Sequence, residues 1–480
     1  MMTNTDALVK GLNPYDMSLQ PQLMNQYGIM YPLLVFPFAK IFGTSILIHR
    51  LVSAFFIFAS CFLISLVLKR MAVPILLNIW TVLMLYASLT YPGTTTPIID
   101  PGSTGMFFML LTVFIPWFCK FSYPSLIISI ICGLFAFYTK LYTFLGALIM
   151  LSYLFLFVSK AKGLFYGFLL LILSTISIMV VDATLPAYFD NCLFTSVNMT
   201  HSWSSIERLQ MQIVLYSGLH QWILILLGGL FLWASVKIIR DRSWGIITKK
   251  ITDLPSSLKL TDLKEPLIKL HFPLVLFAAF SAAFVLYISL GRHGGAILWY
   301  FFQLLSPFFL VGSAWVFCRN TYWPIVCVPF LVLNLFTITA DHDCKYFDKN
   351  IPGWPEISLL ISQHEHILNS PLIAPLLVEQ NKEVYDNGLT EYFISGGQRS
   401  PLMKTLFKED PRVLVQEMLF FEGIKDMVRK KEFDLIILQP KLLPVGVGDA
   451  IRENYKFEGN LTLFAPQDRK PYSVTVWRPL

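Results

Sequence analysis

The chain has 480 residues, 55% of them hydrophobic, 15% aromatic and only 14% charged. Soluble domains carry about 25% charged residues. With a mean hydropathy of +0.61, this composition excludes a soluble enzyme, a disordered chain and a secreted disulfide scaffold. The seven cysteines are odd in number and mostly lie in apolar runs, so they define no disulfide framework, and the net charge of +7 is spread unevenly.

Charge divides the chain. Before Lys237 only six acids occur: Asp6, Asp16, Asp100, Asp182, Asp190 and Glu207. From Asp341 onward there are 20 acids against 17 Lys and Arg, and the apolar runs shorten. The expected organisation is an external segment with an interfacial helix over 1–49, a multi-span membrane domain over 50–340, and a water-soluble domain over 341–480.

The first fifteen residues are polar and show no cleavable signal peptide. The apolar run 29–47 is broken by Pro32, Pro37, Lys40 and Gly43, which suits an interfacial or re-entrant helix better than a span. Ten spans of roughly 20 residues are predicted at 50–68, 72–90, 103–118, 123–139, 143–159, 163–181, 219–237, 272–290, 296–317 and 322–339. Lys69/Arg70, Lys120, Lys160/Lys162, Arg319 and the loop 237–270 occupy alternate connections, and one topology puts them all in the cytoplasm. The same topology leaves all six early acids, and the C-terminal domain, on the non-cytoplasmic face. The chain therefore reads as a multi-pass protein of the cell inner or plasma membrane.

That outer face carries the candidate chemistry. Tyr27 and Tyr31 lie in a proline-bent aromatic segment that equally suits an anchoring belt, and His49 and Arg50 start a span where headgroups lie. Asp100 stands alone in YPGTTTPIIDPGSTG at a span mouth, where a carboxylate either caps a helix or takes part in chemistry. Lys140 in FYTKLYTFLG is the one inter-span lysine that this topology places outside. It fits either a lipid phosphate or a snorkelling lysine. Arg292 and His293 sit in the glycine-rich turn GRHGG, an arrangement shared by anion sites and by ordinary tight turns. HEH (His364–His366) and DHDC (Asp341–Cys344) lack a metal-ligand spacing, and there is no P-loop or GxGxxG motif.

Downstream of 340, ISLLISQHEHIL (357–368) and EMLFFEGIKDMVRKK (417–431) read as helices. FDLIILQP (433–440) reads as a buried strand, YSVTVW (472–477) as a half-buried edge strand, and Asp386-Asn387-Gly388 as a turn. The expected fold class is thus an α-helical polytopic membrane protein of about 10 spans with a C-terminal soluble α/β domain.

GLNPYD (Gly11–Asp16), YGIMYPLLVFPFAKIFG (Tyr27–Gly43) followed by HRL (His49–Leu51), the Asp100 loop, FYTK (Phe137–Lys140) and GRHGGAILWYFFQLLSPF (Gly291–Phe308) occur in that order. Together they resemble the GT-C superfamily of membrane glycosyltransferases. The likeness is greatest to the bacterial branch with the protein O-mannosyltransferases and the lipid A aminoarabinose transferase. The resemblance implies transfer of a sugar from a polyprenyl-phosphate donor to a glycan, lipid or protein acceptor at the outer leaflet, usually with inversion. Membrane lipids are further expected partners, with no nucleic acid and no cofactor beyond the donor; the HEH and DHDC spacings disfavour a divalent metal without excluding one. It also implies a carboxylate in the first external loop as general base and cationic side chains on the donor phosphate.

Carried onto this chain, the catalytic candidates are Asp6, Asp16 and Asp100. Lys140, Arg292 and His293 are the phosphate-binding candidates, and Tyr27 and Tyr31 line the site. The family carboxylate precedes the segment matching GLNPYD, so the chain reads as one that has lost, or is given without, the first transmembrane helix: either its start is misplaced, or Asp6 or Asp16 substitutes, or it is a non-catalytic paralogue that binds lipid-linked sugar. A transporter or flippase of lipid-linked sugars is the rival reading. It is disfavoured by spans almost free of charge and by the lack of an internal repeat.

Overall fold

The structure, a computed structural model, describes residues 2–16, 27–90, 101–185, 323–340, 353–385, 411–439, 446–464 and 471–480, with 220–229 and scattered positions between 188 and 232. The predicted spans at 272–290 and 296–317 lie outside the described residues.

The membrane part is a bundle of apolar helices. After a short α1 (Met2–Val9) come α2 (Met30–Phe42), α3 (Ile46–Arg70), α4 (Ile75–Leu89), α5 (Pro101–Phe118), α6 (Tyr123–Thr139), α7 (Leu145–Tyr153, continued as a π turn to Val158) and α8 (Lys160–Thr184). A helical segment α9 (220–229) and α10 (Trp323–Ala340) follow. Three of the described helices, α3, α5 and α8, are long and apolar enough to cross a membrane. At 1.5 Å per residue the 25 residues of α3 reach about 37 Å, against a hydrocarbon core of about 30 Å. The 13-residue α2 reaches only about 20 Å. It has Pro37 inside and ends at Gly43, whose positive φ breaks the helix. It is thus a short apolar helix.

Water supplies no driving force between helices inside lipid, so close packing and interhelical hydrogen bonds must hold them. A β-carbon at Gly133 of α6 would crowd the Ala147 methyl of α7 at 3.1 Å, and one at Gly146 of α7 would meet the Met109 side chain of α5 at 2.8 Å. The hydroxyl of Ser129 (α6) donates to the Thr112 carbonyl (α5) and meets the Tyr166 hydroxyl (α8) at 3.0 Å. Asn78 of α4 donates to the Ser65 carbonyl of α3. Large aromatics such as Phe55, Phe58 and Phe62 point outward from α3, as side chains facing lipid do.

Beyond residue 350, α11 (Trp354–Gln363), β1 (Ile367–Asn369), α12 (Ala374–Glu379), α13 (Pro411–Arg429), β2 (Leu435–Leu438), α14 (Val447–Asn454), β3 (Tyr455–Phe464) and β4 (Pro471–Pro479) build a four-stranded mixed sheet of order β1-β2-β4-β3. β1 runs parallel to β2, and β4 is antiparallel to both β2 and β3. Successive residues of β2 face opposite cores. Leu435 and Ile437 pack with Ile357 and Ile361 of α11, whereas Ile436 and Leu438 pack with Val428 of α13 and Ile451 of α14. Helices therefore cover both faces of the sheet.

Two expectations need correction. The helix predicted over 357–368 stops at Gln363, and Ile367–Asn369 become β1, because the strand's backbone pairs with Leu435–Ile437. The segment 472–477 is an inner strand, not an edge: its alternation arises because one face is fully covered and the other only partly, and β3, with Lys456, Glu458 and Thr462 exposed, takes the edge.

The two parts meet through α1. Met2 joins the sheet's core with Ile357 and Ile373, while Val9 packs with Tyr31, Val35 and Phe56 of the bundle.

Candidate functional site

The C-terminal end of α6 is the anchor of the site. Lys140 leaves the helix in extended conformation while its N–H still bonds the Ala136 carbonyl at 2.9 Å, and its own carbonyl accepts from the Thr143 N–H and hydroxyl. A lysine at this position complements the negative end of the helix dipole. The side chain is buried, with 5% exposure, and Nζ stands 5.4 Å from the centroid of the Tyr27 ring. A cation over an aromatic face gains about 0.5–2 kcal/mol, most where water is excluded. In such surroundings an ammonium also attracts an approaching anion more strongly than it would in water.

Tyr27 is fixed from behind. Its carbonyl accepts from the Tyr15 hydroxyl at 2.9 Å and lies 3.3 Å from the Cys192 sulfur. Gly28 crosses directly over the end of α6, where a β-carbon would overlap the Tyr138 carbonyl oxygen. Tyr15, Tyr138 and Tyr188 form an aromatic cluster beneath, with Tyr15–Tyr188 and Tyr138–Tyr188 centroids 4.9 and 5.9 Å apart. Burial raises the Tyr188 phenol well above its ordinary range and pushes the Cys192 thiol up to about 12, so both stay protonated and act as packing and hydrogen-bonding groups.

The acidic candidates approach from the N-terminal side. The turn after α1 places Asp16 next to Tyr15. There Asn13 accepts from the Tyr15 N–H through its side chain and from the Asp16 N–H through its carbonyl, and its amide reaches the Thr184 carbonyl at the end of α8. Asp16 is exposed. Asp6, mostly buried on α1, pairs with Lys10 one turn on at 2.7 Å.

Among the sequence-based candidates, Tyr27 and Lys140 are thus brought into direct contact, with Asp16 beside the tyrosine cluster that supports them. Tyr31 is wholly buried below this surface, where its hydroxyl bonds the His49 carbonyl and Ser53 hydroxyl and ties α2 to α3. His49 is buried against the Tyr31 ring rather than turned to headgroups. Asp100, Arg292 and His293 lie outside the described residues. The sequence alone did not single out Tyr15, Tyr188 or Cys192; GLNPYD was visible as a motif, but nothing in it pointed inward.

No family model and no curated protein matches the chain. Among solved structures it is similar to the crystal structure of ArnT from Cupriavidus metallidurans bound to undecaprenyl phosphate. That match has a TM-score of 0.53 and 11% identity, and covers 99% of this chain and 92% of that one. At this identity the likeness is one of fold alone: both are bundles of apolar helices.

Proposed function

We propose that the protein is a membrane glycosyltransferase that moves a sugar from a polyprenyl-phosphate donor to an acceptor hydroxyl at the membrane face carrying Lys140. The observation that carries this reading is the buried Lys140 ammonium fixed over Tyr27 at the C-terminal end of α6, in a fold similar to one bound to undecaprenyl phosphate.

In the transfer, the acceptor oxygen attacks the anomeric carbon, the bond from that carbon to the phosphate oxygen breaks, and polyprenyl phosphate departs with the electron pair. Lys140 stabilises the charge that develops on the departing phosphate, and the GRHGG turn with Arg292 and His293 supplies further cations. A carboxylate takes the acceptor proton. Asp16 is the first choice because it is exposed beside the Tyr15–Tyr27 support. Asp6 is held by Lys10, and Asp100 is the third candidate. Attack opposite the leaving group inverts the anomeric centre. We assign the site to the non-cytoplasmic face of the cell membrane, with the sheet domain beside it and no metal required.

Reconstituted protein supplied with a polyprenyl-phosphate sugar and a membrane extract as acceptor source tests the reading. Transfer that is lost in Lys140→Met and in Asp16→Asn supports it. Donor consumption by both variants at the unsubstituted rate sinks it.

A further inference from the structure

At the end of the bundle remote from the sheet, α5 and α6 are joined by a turn in which Lys120 and Phe121 both have left-handed backbone, at φ 52 and 56. Two adjacent non-glycine residues in that region are strained, and the strain persists only where neighbours fix it. Here two cations do so from opposite flanks. Arg70, at the end of α3, donates to the Phe118 carbonyl at 2.8 Å and lies 4.9 Å from the Trp117 ring centroid. Lys162, in the first turn of α8, donates to the Phe121 carbonyl at 2.7 Å and lies 5.7 Å from the Tyr123 ring centroid.

Each keeps donors beyond that one bond, since a guanidinium has five N–H groups and an ammonium three. Exposed Lys120 lies in the turn between them, and exposed Lys69 and Lys160 flank the pair. No Asp or Glu occurs between Asp16 and Asp182 except Asp100, which precedes α5. The described ion pairs include none of these five cations. Trp and Tyr, the residues that settle at headgroup level, stand on either side of the turn.

We propose that this end of the bundle is a binding site for the phosphate headgroup of an acidic phospholipid, cradled by Arg70, Lys120 and Lys162. Its occupant is membrane lipid, because the helices that carry the cations present apolar faces to the same layer; Phe62 of α3 and Leu164 and Phe168 of α8 are about two-thirds exposed. The site lies at the opposite end of α6 from Lys140 and is independent of the proposed transfer.

The test uses the full-length protein in neutral detergent, titrated with phosphatidylglycerol or phosphatidylcholine and read by native mass spectrometry. Phosphatidylglycerol is retained and phosphatidylcholine is not. Each lost cation weakens retention about fivefold, so Arg70→Gln with Lys162→Gln gives roughly 25-fold, while Lys430→Gln on the soluble domain changes nothing. Equal retention of the two lipids overturns the proposal, as does displacement of phosphatidylglycerol by millimolar inorganic phosphate or an unchanged preference in the double variant. If the double variant does not fold, Lys120→Gln decides, since its side chain is exposed: about fivefold weaker retention supports the site and unaltered retention overturns it.

Discussion

The carboxylate of Glu379, at the end of α12 in the sheet domain, accepts a hydrogen bond from the backbone N–H of Ile46, the first residue of α3, at 2.8 Å. The first N–H groups of a helix have no partner within it, and Ser45 satisfies only that of Ile48. Glu379 therefore contributes to the cap of a membrane helix from the sheet domain, and its charge also acts on Arg50 one turn along.

An exposed charge at a helix N-terminus contributes about 0.3–1 kcal/mol. Glu379→Ala should accordingly raise the amide exchange rate of Ile46 by up to about fivefold while leaving the exchange of the β2 amides unchanged. Equal protection of Ile46 in the two proteins would show that the contact does not hold in solution.

Gly28→Ala tests how closely Tyr27 is seated. The added methyl must displace the Tyr138 carbonyl or lift the 27–28 segment from α6, and overpacking of this kind costs about 1–3 kcal/mol. The expected outcome is a lowered melting temperature together with weakened polyprenyl-phosphate binding, because Tyr27 moves off Lys140. A variant with an unshifted melt and native binding would contradict the close approach.

Lys140 separates charge from geometry. If it holds the donor phosphate, Lys140→Met should lower transfer by about 10²–10³-fold, the scale of losing one charged stabiliser of the departing group. Lys140→Arg keeps the charge but spreads it over a planar fork that matches the compact ammonium site poorly, so intermediate activity is expected. A kcat/KM series over Met, Arg and Lys decides, and an arginine variant no better than methionine would mean that packing, not charge, is what the residue supplies.

The features legible in the sequence were those with local causes. The spans at 50–68, 103–118 and 163–181 were evident because an uninterrupted apolar run long enough to cross a bilayer has few other uses, and the structure gives α3, α5 and α8 there. Lys140 stood out because its charge broke a pattern. The pairing of Lys140 with Tyr27 was not legible: it depends on Gly28 fitting over the end of α6, a tertiary fact with no local periodicity. The polar first residues concealed α1 for a related reason. Asn4 and Thr5 are buried between the bundle and the sheet, where composition suggests a solvated segment. The strand at 472–477 was misplaced because alternation reports which face is covered, not whether both neighbours are present.

The support beneath Tyr27 makes a chemical prediction. Burial raises the Cys192 thiol from 9.0 to about 12, whereas Cys119, at the opposite end of the bundle, is exposed. The thiolate is the reactive form, so at pH 8 Cys192 stays almost wholly protonated. In variants retaining only one of the two cysteines, iodoacetamide at pH 8 should modify Cys119 within minutes and leave Cys192 intact until the protein is denatured. The sign of the pH dependence follows from the raised value. The fold favours the neutral thiol, so the stability that Cys192 contributes is present below about pH 9 and is lost as the pH climbs toward 12. Labelling of Cys192 should begin only in that alkaline window and should coincide with loss of polyprenyl-phosphate binding, because the same movement frees the Tyr27 carbonyl. If Cys192 were modified at pH 8 as fast as Cys119, Cys192 would not be packed under Tyr27, and the Tyr27–Lys140 pair would lose that support.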